Sequence, residues 1–404
     1  MTELSGTTGF QRNILIPVWA SVDLVGQQTF PIVPFLVGAS VSTLGLSLAH
    51  AGRIMSIEYT ALALAAIGLA PLMGRLPRRE LALAGALIAL LGNLLCAFSS
   101  VEALSEFKTF AMYRGIAGVG YGIALAAGNA AASQVRNPED LYAKKMVLLA
   151  VYSIIAQITS PFIMANWGAK GLYLALAIVT AAAITPIFRL PRFLSARQQA
   201  RHESALRMFD KQWVYALVVI AVFAAAFAFN LREAFTITFV ERIGAMKLDV
   251  SSQMVGWYLA IGGVLAMGTS LLAAKSAHRY GFAASLFIGV LVSGFVTYGI
   301  FVTQSREIFA GLVVMWSPLF YFCWALLMAM AACIDAKGRV AAATGGFVLA
   351  AYAVGPGVAG TIIDSKGDAG VAAIILWIIA ISAVLVFLVG RSVDANKARQ
   401  ARGE

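Results

Sequence analysis

A chain of 404 residues that is 60% hydrophobic and only 12% charged, with a mean hydropathy of +0.84, carries far more apolar surface than a soluble core of that length can use. These figures exclude an ordinary soluble domain and describe an all-α polytopic membrane protein. The net charge of +11 has a topological explanation, because loops on the cytoplasmic side collect Lys and Arg, so it gives no reason to expect nucleic acid as a partner.

Polar residues before Arg12 followed by a long apolar stretch predict insertion through the helices themselves and no cleaved signal peptide. Apolar runs of about 20 residues, enough to cross about 30 Å of hydrocarbon, lie near 14–37, 46–73, 80–100, 107–132, 143–165, 168–188, 213–236, 251–274, 282–303, 307–332, 339–363 and 369–390. With the N terminus inside, 21 of the 30 Lys and Arg fall in cytoplasmic loops and 6 in outer loops, while Arg53, Arg114 and Arg232 stay in or at the edge of apolar spans. An asymmetry that repeats from loop to loop predicts twelve spans with both termini cytoplasmic. The expected location is the cell inner membrane.

In span one, Asp23 lies about eleven residues, or about 16 Å, beyond Arg12, near the midplane. Gln27 follows one turn on along the same face, and Pro17, Pro31 and Pro34 supply kinks. A carboxylate is costly to keep ionised at that depth, which makes Asp23 the first candidate proton carrier. Glu58 in "RIMSIEYT" (53–60) of span two is the second. It sits about 7 Å below Arg53 along the helix, so an interfacial ion pair with Arg53 is the alternative reading.

Span four opens with "MYRGIAGVGYG" (112–122), in which Arg114, Gly118 and Gly122 share one helical face. Glycines at that spacing let a partner helix approach closely or slide. An arginine in the membrane interior is tolerated beside a wet cavity or a carboxylate, so Arg114 is expected to face a central cavity; outward snorkelling is the other possibility. Asn93, Asn129 and Gln157 read as interhelical hydrogen bonds.

The polar stretch from Arg189 to Gln212 divides the chain into an N-terminal six-helix bundle (1–188), a cytoplasmic linker (189–212) of amphipathic-helix composition, and a C-terminal six-helix bundle (213–404) with a short basic tail. Two pairs of segments mark the halves as repeats. "AQITSPFIMA" (156–165), with Pro161, matches "AYAVGPGVAG" (351–360), with Gly355 and Pro356; the basic loop after span two matches "AAKSAHRYG" (273–281). The offsets of 195 and 204 residues agree within loop variation. Two six-helix units in parallel repeat describe a secondary transporter. In span seven, "FAFNLREAFT" (227–236) places Asn230, Arg232 and Glu233 toward the outer end, the last two about 100° apart on the helix. Span ten carries Trp316, Tyr321, Phe322 and Trp324 near Pro318, with Tyr321 and Trp324 on one face. Aromatic walls of this kind hold apolar or aromatic solutes, and packing against lipid is the other use of such a face.

On these residues the chain resembles the major facilitator superfamily over essentially its whole length. "APLMGRLPRREL" (70–81) is similar to the family loop G-x-L-A-D-R-x-G-R-R, with Arg75 on the family arginine, Arg78 and Arg79 on the basic pair, and Gly74 where the family has an acid. In the second copy Arg279 and Gly281 match, and His278 takes the acidic position. The peptide at 112–122 resembles the span-four pattern R-x-x-x-G-x-x-x-G. The resemblance implies a conformational latch at Arg75, Arg78, Arg79 and Arg279, weakened by the missing acid. It implies proton coupling through Asp23, Glu58 and Arg114, and a substrate cavity to which Asp23, Gln27, Arg114, Asn230, Arg232, Tyr321 and Trp324 contribute. Gly118, Gly122, Pro161, Gly355 and Pro356 would serve helix packing.

The expected function is alternating-access transport of a small organic solute, leaning to an organic anion of aromatic or amphipathic character, coupled to protons. No G-x-x-x-x-G-K-[ST] motif is present to bind a nucleotide. The alternative is a multidrug/proton antiporter, but the exporter pattern G-x-x-x-G-P-x-x-G-G keeps only its proline in "AQITSPFIMA". An enzyme is not expected: H-E-x-x-H and G-x-S-x-G are absent, and His50, His202 and His278 fall at loops or helix ends. Cys96, Cys323 and Cys333 have neither disulfide nor zinc spacing, so no metal or cofactor is expected. The partners are the solute, protons and the lipid bilayer, with the chain acting as a monomer.

Overall fold

The structure, a computed structural model, describes residues 9–69, 72, 76–132, 138–190, 212–334 and 339–402. Arg75 and nearly all of the 189–212 linker lie outside the described residues, as does the side chain of Asn129. Regular structure among the described residues is entirely helical. Gly9–Gln27 and Val33–Leu44 are the two limbs of span one, Leu48–Leu69 is span two, Arg78–Phe98 span three and Phe107–Ala132 span four. Pro138–Ile187 holds spans five and six, Gln212–Arg242 is span seven, Ser252–Val302 holds spans eight and nine, Arg306–Ile334 is span ten, and Arg339–Arg402 holds spans eleven and twelve.

Each double helix is broken at one glycine, Gly168, Gly281 or Gly367, with φ of +60°, +77° and +68°. Only glycine enters that left-handed region without strain, so a single residue ends one rod and begins the next. By length and hydropathy alone the described residues show eight spanning helices, or up to nine with the bent pair taken as one, and three of those run through such a break. Dividing the full helices Pro138–Ile187, Ser252–Val302 and Arg339–Arg402 at these glycines gives the twelve spans that the loop charges predict.

Span one is longer than its apolar run, continuing past residue 37 to Leu44, and it bends by 47° between its limbs. Pro31 and Pro34 have no N–H to continue the upstream helix. Around the bend, the Gln28 amide donates to Thr180 Oγ1 of span six at 2.7 Å, and the Tyr152 hydroxyl of span five donates to the Gln28 carbonyl at 2.9 Å. The break is thereby tied into its own bundle.

Close helix contact in the first half is built on glycine. Gly118 and Gly122 meet the Glu58 and Leu62 carbonyls of span two, while on another side of span four Gly120 meets span three, where a methyl group on Gly85 would lie 2.7 Å from the Gly120 carbonyl oxygen. The second half repeats the second contact: a methyl on Gly289 of span nine would lie 2.9 Å from Cys323 Sγ of span ten. Gly118→Leu is expected to force spans two and four apart at a cost of about 1–3 kcal/mol. The readout is the thermal unfolding midpoint in detergent, and an unchanged midpoint would mean that the two helices do not meet there.

The halves touch through spans one and seven, two and eleven, and five and eight. Gly52 of span two seats the Pro356 carbonyl of span eleven, and Gly256 of span eight seats the Gln157 carbonyl and the Pro161 ring of span five. The two contacts are exchanged by the internal repeat, at its own offsets of 204 and 195 residues. The Gly357 N–H donates to Ser56 Oγ at 2.8 Å, the Ala49 N–H to Asp364 Oδ2 at 2.9 Å, and the Gln253 amide to the Ile158 carbonyl at 2.9 Å. All of these contacts lie toward the ends of the spans remote from the termini, where they form a closed seam. About one turn closer to the middle, Phe30 and Tyr59 stack at 4.8 Å between ring centroids, and Tyr352 meets both edge-on across the same divide at 5.1 and 5.8 Å.

Candidate substrate and coupling site

Arg114 is fully buried, and three elements of its own half hold it. Its Nε and Nη2 both donate to Glu58 Oε2, at 3.0 and 2.6 Å, and its Nη1 donates to Asn93 Oδ1 at 2.8 Å. The Tyr121 hydroxyl donates to the same Asn93 oxygen at 2.9 Å, and the Tyr173 ring of span six lies 4.7 Å from the guanidinium carbon. The glycine face beneath Arg114 explains the geometry: with no side chains at Gly118 and Gly122, span four lies against span two closely enough for the arginine to reach Glu58. A desolvated charge survives when paired and hydrogen-bonded, and here each of the three guanidinium nitrogens donates. Glu58 Oε1 and Asn93 Nδ2 are buried without a hydrogen-bond partner.

This arrangement corrects two expectations. Arg114 faces a carboxylate inside its bundle and not an open cavity, and the partner of Glu58 is Arg114, not Arg53, whose Nη2 lies 3.4 Å from Thr361 Oγ1 across the seam. Asp23, also buried, sits against Gly128, where a methyl group would lie 3.4 Å from Oδ1. Gly128 is fourteen residues beyond Arg114 in span four, about 20 Å along the axis. Asp23 and Arg114 are therefore separated along span four and are not in direct contact. Gln27, half-buried, ends the first limb of span one.

The second half carries its own buried pair. Arg232 and Glu233, though 100° apart on the helix, are joined because the long arginine folds back along span seven. Arg232 also donates to Ser293 Oγ at 2.9 Å and to the Val290 carbonyl at 3.3 Å in span nine, and Glu233 receives the Trp316 indole N–H from span ten. Asn230 donates to the Ala226 carbonyl of its own helix at 2.8 Å, and its Oδ1 has no hydrogen-bond partner. On span ten the rings of Trp316, Phe320 and Trp324 form a ladder with 6.3 Å steps, and Tyr321, 43% exposed, meets Phe320 edge-on at 5.1 Å. Phe320 is the centre of this wall. Its signal was the i, i+4, i+8 run of rings, which the Tyr321 and Trp324 pairing passes over.

Sequence reasoning also missed Glu241. This buried carboxylate at the seam lies against Gly38 of span one and accepts from Ser252 Oγ at 2.5 Å. It lies five residues past the end of the predicted span seven (213–236), beside Arg242, and so reads as a loop residue. Of the latch candidates, Arg78 is buried, Arg79 bonds Glu80 at 3.4 Å and the Phe188 carbonyl of its own half at 3.5 Å, and Arg279 lies over the Tyr280 ring.

Twelve spans in two related bundles, meeting along a seam and enclosing buried ion pairs, define a secondary transporter. The chain belongs to the major facilitator superfamily: the family model described as Major Facilitator Superfamily matches residues 6–336. A search among curated proteins finds no match. Among solved structures the chain is similar to a D-xylose-proton symporter, at 15% identity over 96% of this chain and 97% of that one, with a TM-score of 0.70. It is similar to a bacterial homolog of the human lysosomal transporter Spinster in an inward-facing, unoccupied conformation, at 13% identity over 97% and 99% with a TM-score of 0.73. A third is the xylose transporter XylE from E. coli, partially occluded and inward open, at 15% identity over 93% and 96% with a TM-score of 0.71. These likenesses extend the shared fold through spans eleven and twelve.

Proposed function

We propose that this transporter moves a small organic anion of aromatic or amphipathic character together with protons. The supporting observation is the Glu58–Arg114 pair, with two arginine donors on one carboxylate oxygen and the other oxygen buried without a partner. A proton on Glu58 cancels the charge that holds the guanidinium. Arg114 then becomes a receptor for a carboxylate, for which its planar fork is suited. Proton and anion thus enter as a neutral sum, and binding one favours the other. The Phe30, Tyr59 and Tyr352 cluster and the span-ten ladder supply ring-sized apolar surfaces for the rest of the solute. Asp23 serves as a second proton site about 20 Å further along span four, beside Gly128. A D-xylose-proton symporter shares the architecture, which lends support to coupling by protons; at 15% identity it carries no inference about the solute.

Bodies spanning 1–188 and 213–404, joined by 189–212, rock about the spans that meet at the seam. The chain works as a monomer in the cell inner membrane with both termini cytoplasmic, so the closed seam faces outward. A thermal-shift screen of aromatic carboxylates such as benzoate at two pH values selects a solute for flux in proteoliposomes. The wild type is expected to accumulate it when the outside is acidic, whereas Asp23→Asn loses accumulation and retains solute exchange. Accumulation by Asp23→Asn at the wild-type level would remove Asp23 from the coupling path, and accumulation without a pH gradient would refute proton symport.

A further inference from the structure

A cavity of about 320 Å³ lies away from the charged pairs, between spans eight, nine, ten and twelve at the end that bears the termini. It exists because spans eight and ten face each other there with methyl groups alone, Ala273 and Ala277 against Ala325 and Ala329. At about 30 Å³ per water-sized group it has room for about ten methylene-like groups, at the small end of ligand sites. Phe282, Leu326 and Cys333 complete the apolar lining, and His278, Ala329 and Lys397 are exposed.

The polar groups are arranged asymmetrically. Asp394 accepts the N–H groups of Phe282 and Ala283, at 3.0 Å each, and so caps the helix that begins at Gly281. Its charge is answered by that helix N terminus. The Lys397 ammonium, one turn further along span twelve, lies 4.7 Å over the Phe282 ring. In the chain, Lys275 and Arg279 flank Ala277 and His278, and Arg391 and Arg399 flank Asp394 and Lys397. An apolar slot with a positive rim, opening at the membrane surface, fits a molecule with an acyl chain and an anionic head.

We propose that this cavity is a binding site for an anionic phospholipid, with part of one acyl chain between the alanine pairs and the phosphate at Lys397 and His278. Topology alone accounts for basic residues at this end; it does not account for a chain-sized slot beneath them. The site is independent of the transported solute.

The test uses the full chain in phosphatidylcholine nanodiscs containing a trace of phosphatidylglycerol whose acyl chain carries a photoreactive diazirine, with adducts mapped by mass spectrometry. Adducts are expected on peptides that include Leu326 and Ala329. Ala329→Phe, which fills the slot without changing charge, is expected to abolish them. Lys397→Gln is expected to reduce them about fivefold, the weight of one basic residue at an anionic membrane surface. Equal labelling by the corresponding phosphatidylcholine probe would overturn the proposal, as would full labelling of Ala329→Phe. Loss of labelling on adding inorganic phosphate, with no dependence on slot filling, would assign the corner to a free anion and overturn it equally.

Discussion

Arg114→Ala is expected to abolish coupled transport and to cost about 3–5 kcal/mol of stability, because it leaves the Glu58 carboxylate buried and uncompensated. Loss of Nη1 also leaves Asn93 Oδ1 with only the Tyr121 hydroxyl. The effect should be non-additive. Arg114→Ala with Glu58→Gln removes both charges, so the double variant is expected to recover most of the stability while remaining unable to couple. Thermal midpoints of the two single variants and the double variant, beside proteoliposome flux, separate the structural loss from the functional one. A double variant no more stable than Arg114→Ala would mean that the pair is not the energetic unit described above. Arg114→Lys is expected to fail in transport as well, since one ammonium cannot reproduce the two-pronged contact with Glu58 and the third bond to Asn93.

Gly52→Val is expected to hold the seam open. Its side chain would occupy the space of the Pro356 carbonyl, which belongs to the other half, so the clash falls between bodies and leaves each bundle intact. A Ser56→Cys reporter, half-buried beside the Gly357 N–H while the seam is closed, should react with a membrane-impermeant maleimide about tenfold faster or more in the Gly52→Val background, the signature of a shift of at least about 1.4 kcal/mol. Active transport should fall correspondingly, because the open state cannot reseal. Gly256→Val, the counterpart under the internal repeat, is expected to act in the same direction through Pro161 and Gln157. Unchanged labelling in both variants would show that these contacts do not seal the seam.

Much of this architecture is legible from residue type and spacing. Charge alternation between loops is imposed by the membrane itself, and the Arg114, Gly118, Gly122 face follows from helical periodicity alone. What spacing cannot supply is partnership at a distance. Glu58 and Arg114 are 56 residues apart in the chain, so local reasoning pairs Glu58 with Arg53 on its own helix. Arg232 and Glu233 fail in the opposite sense: a helical wheel separates their Cβ directions, but an arginine is long enough to fold back onto its neighbour. Asp23 and Arg114 seem joined only because both are ionisable and intramembrane; their depths along span four keep them about 20 Å apart. The aromatic cluster of Phe30, Tyr59 and Tyr352 draws on three spans from both halves and leaves no trace in any one of them.

Each bundle keeps its own cation beside its own acid, Arg114 with Glu58 and Arg232 with Glu233. A membrane potential acts on a moving elementary charge with about 2.3 kcal/mol per 100 mV, but a bound pair of opposite charges that tilts as one piece presents that field with almost nothing to pull on. As far as these two arginines are concerned, the empty carrier can reorient at rest or in an energised cell with the same ease. Any electrical bias on transport then arises outside these two pairs, in the cargo, its accompanying ions and carboxylates such as Asp23 and Glu241.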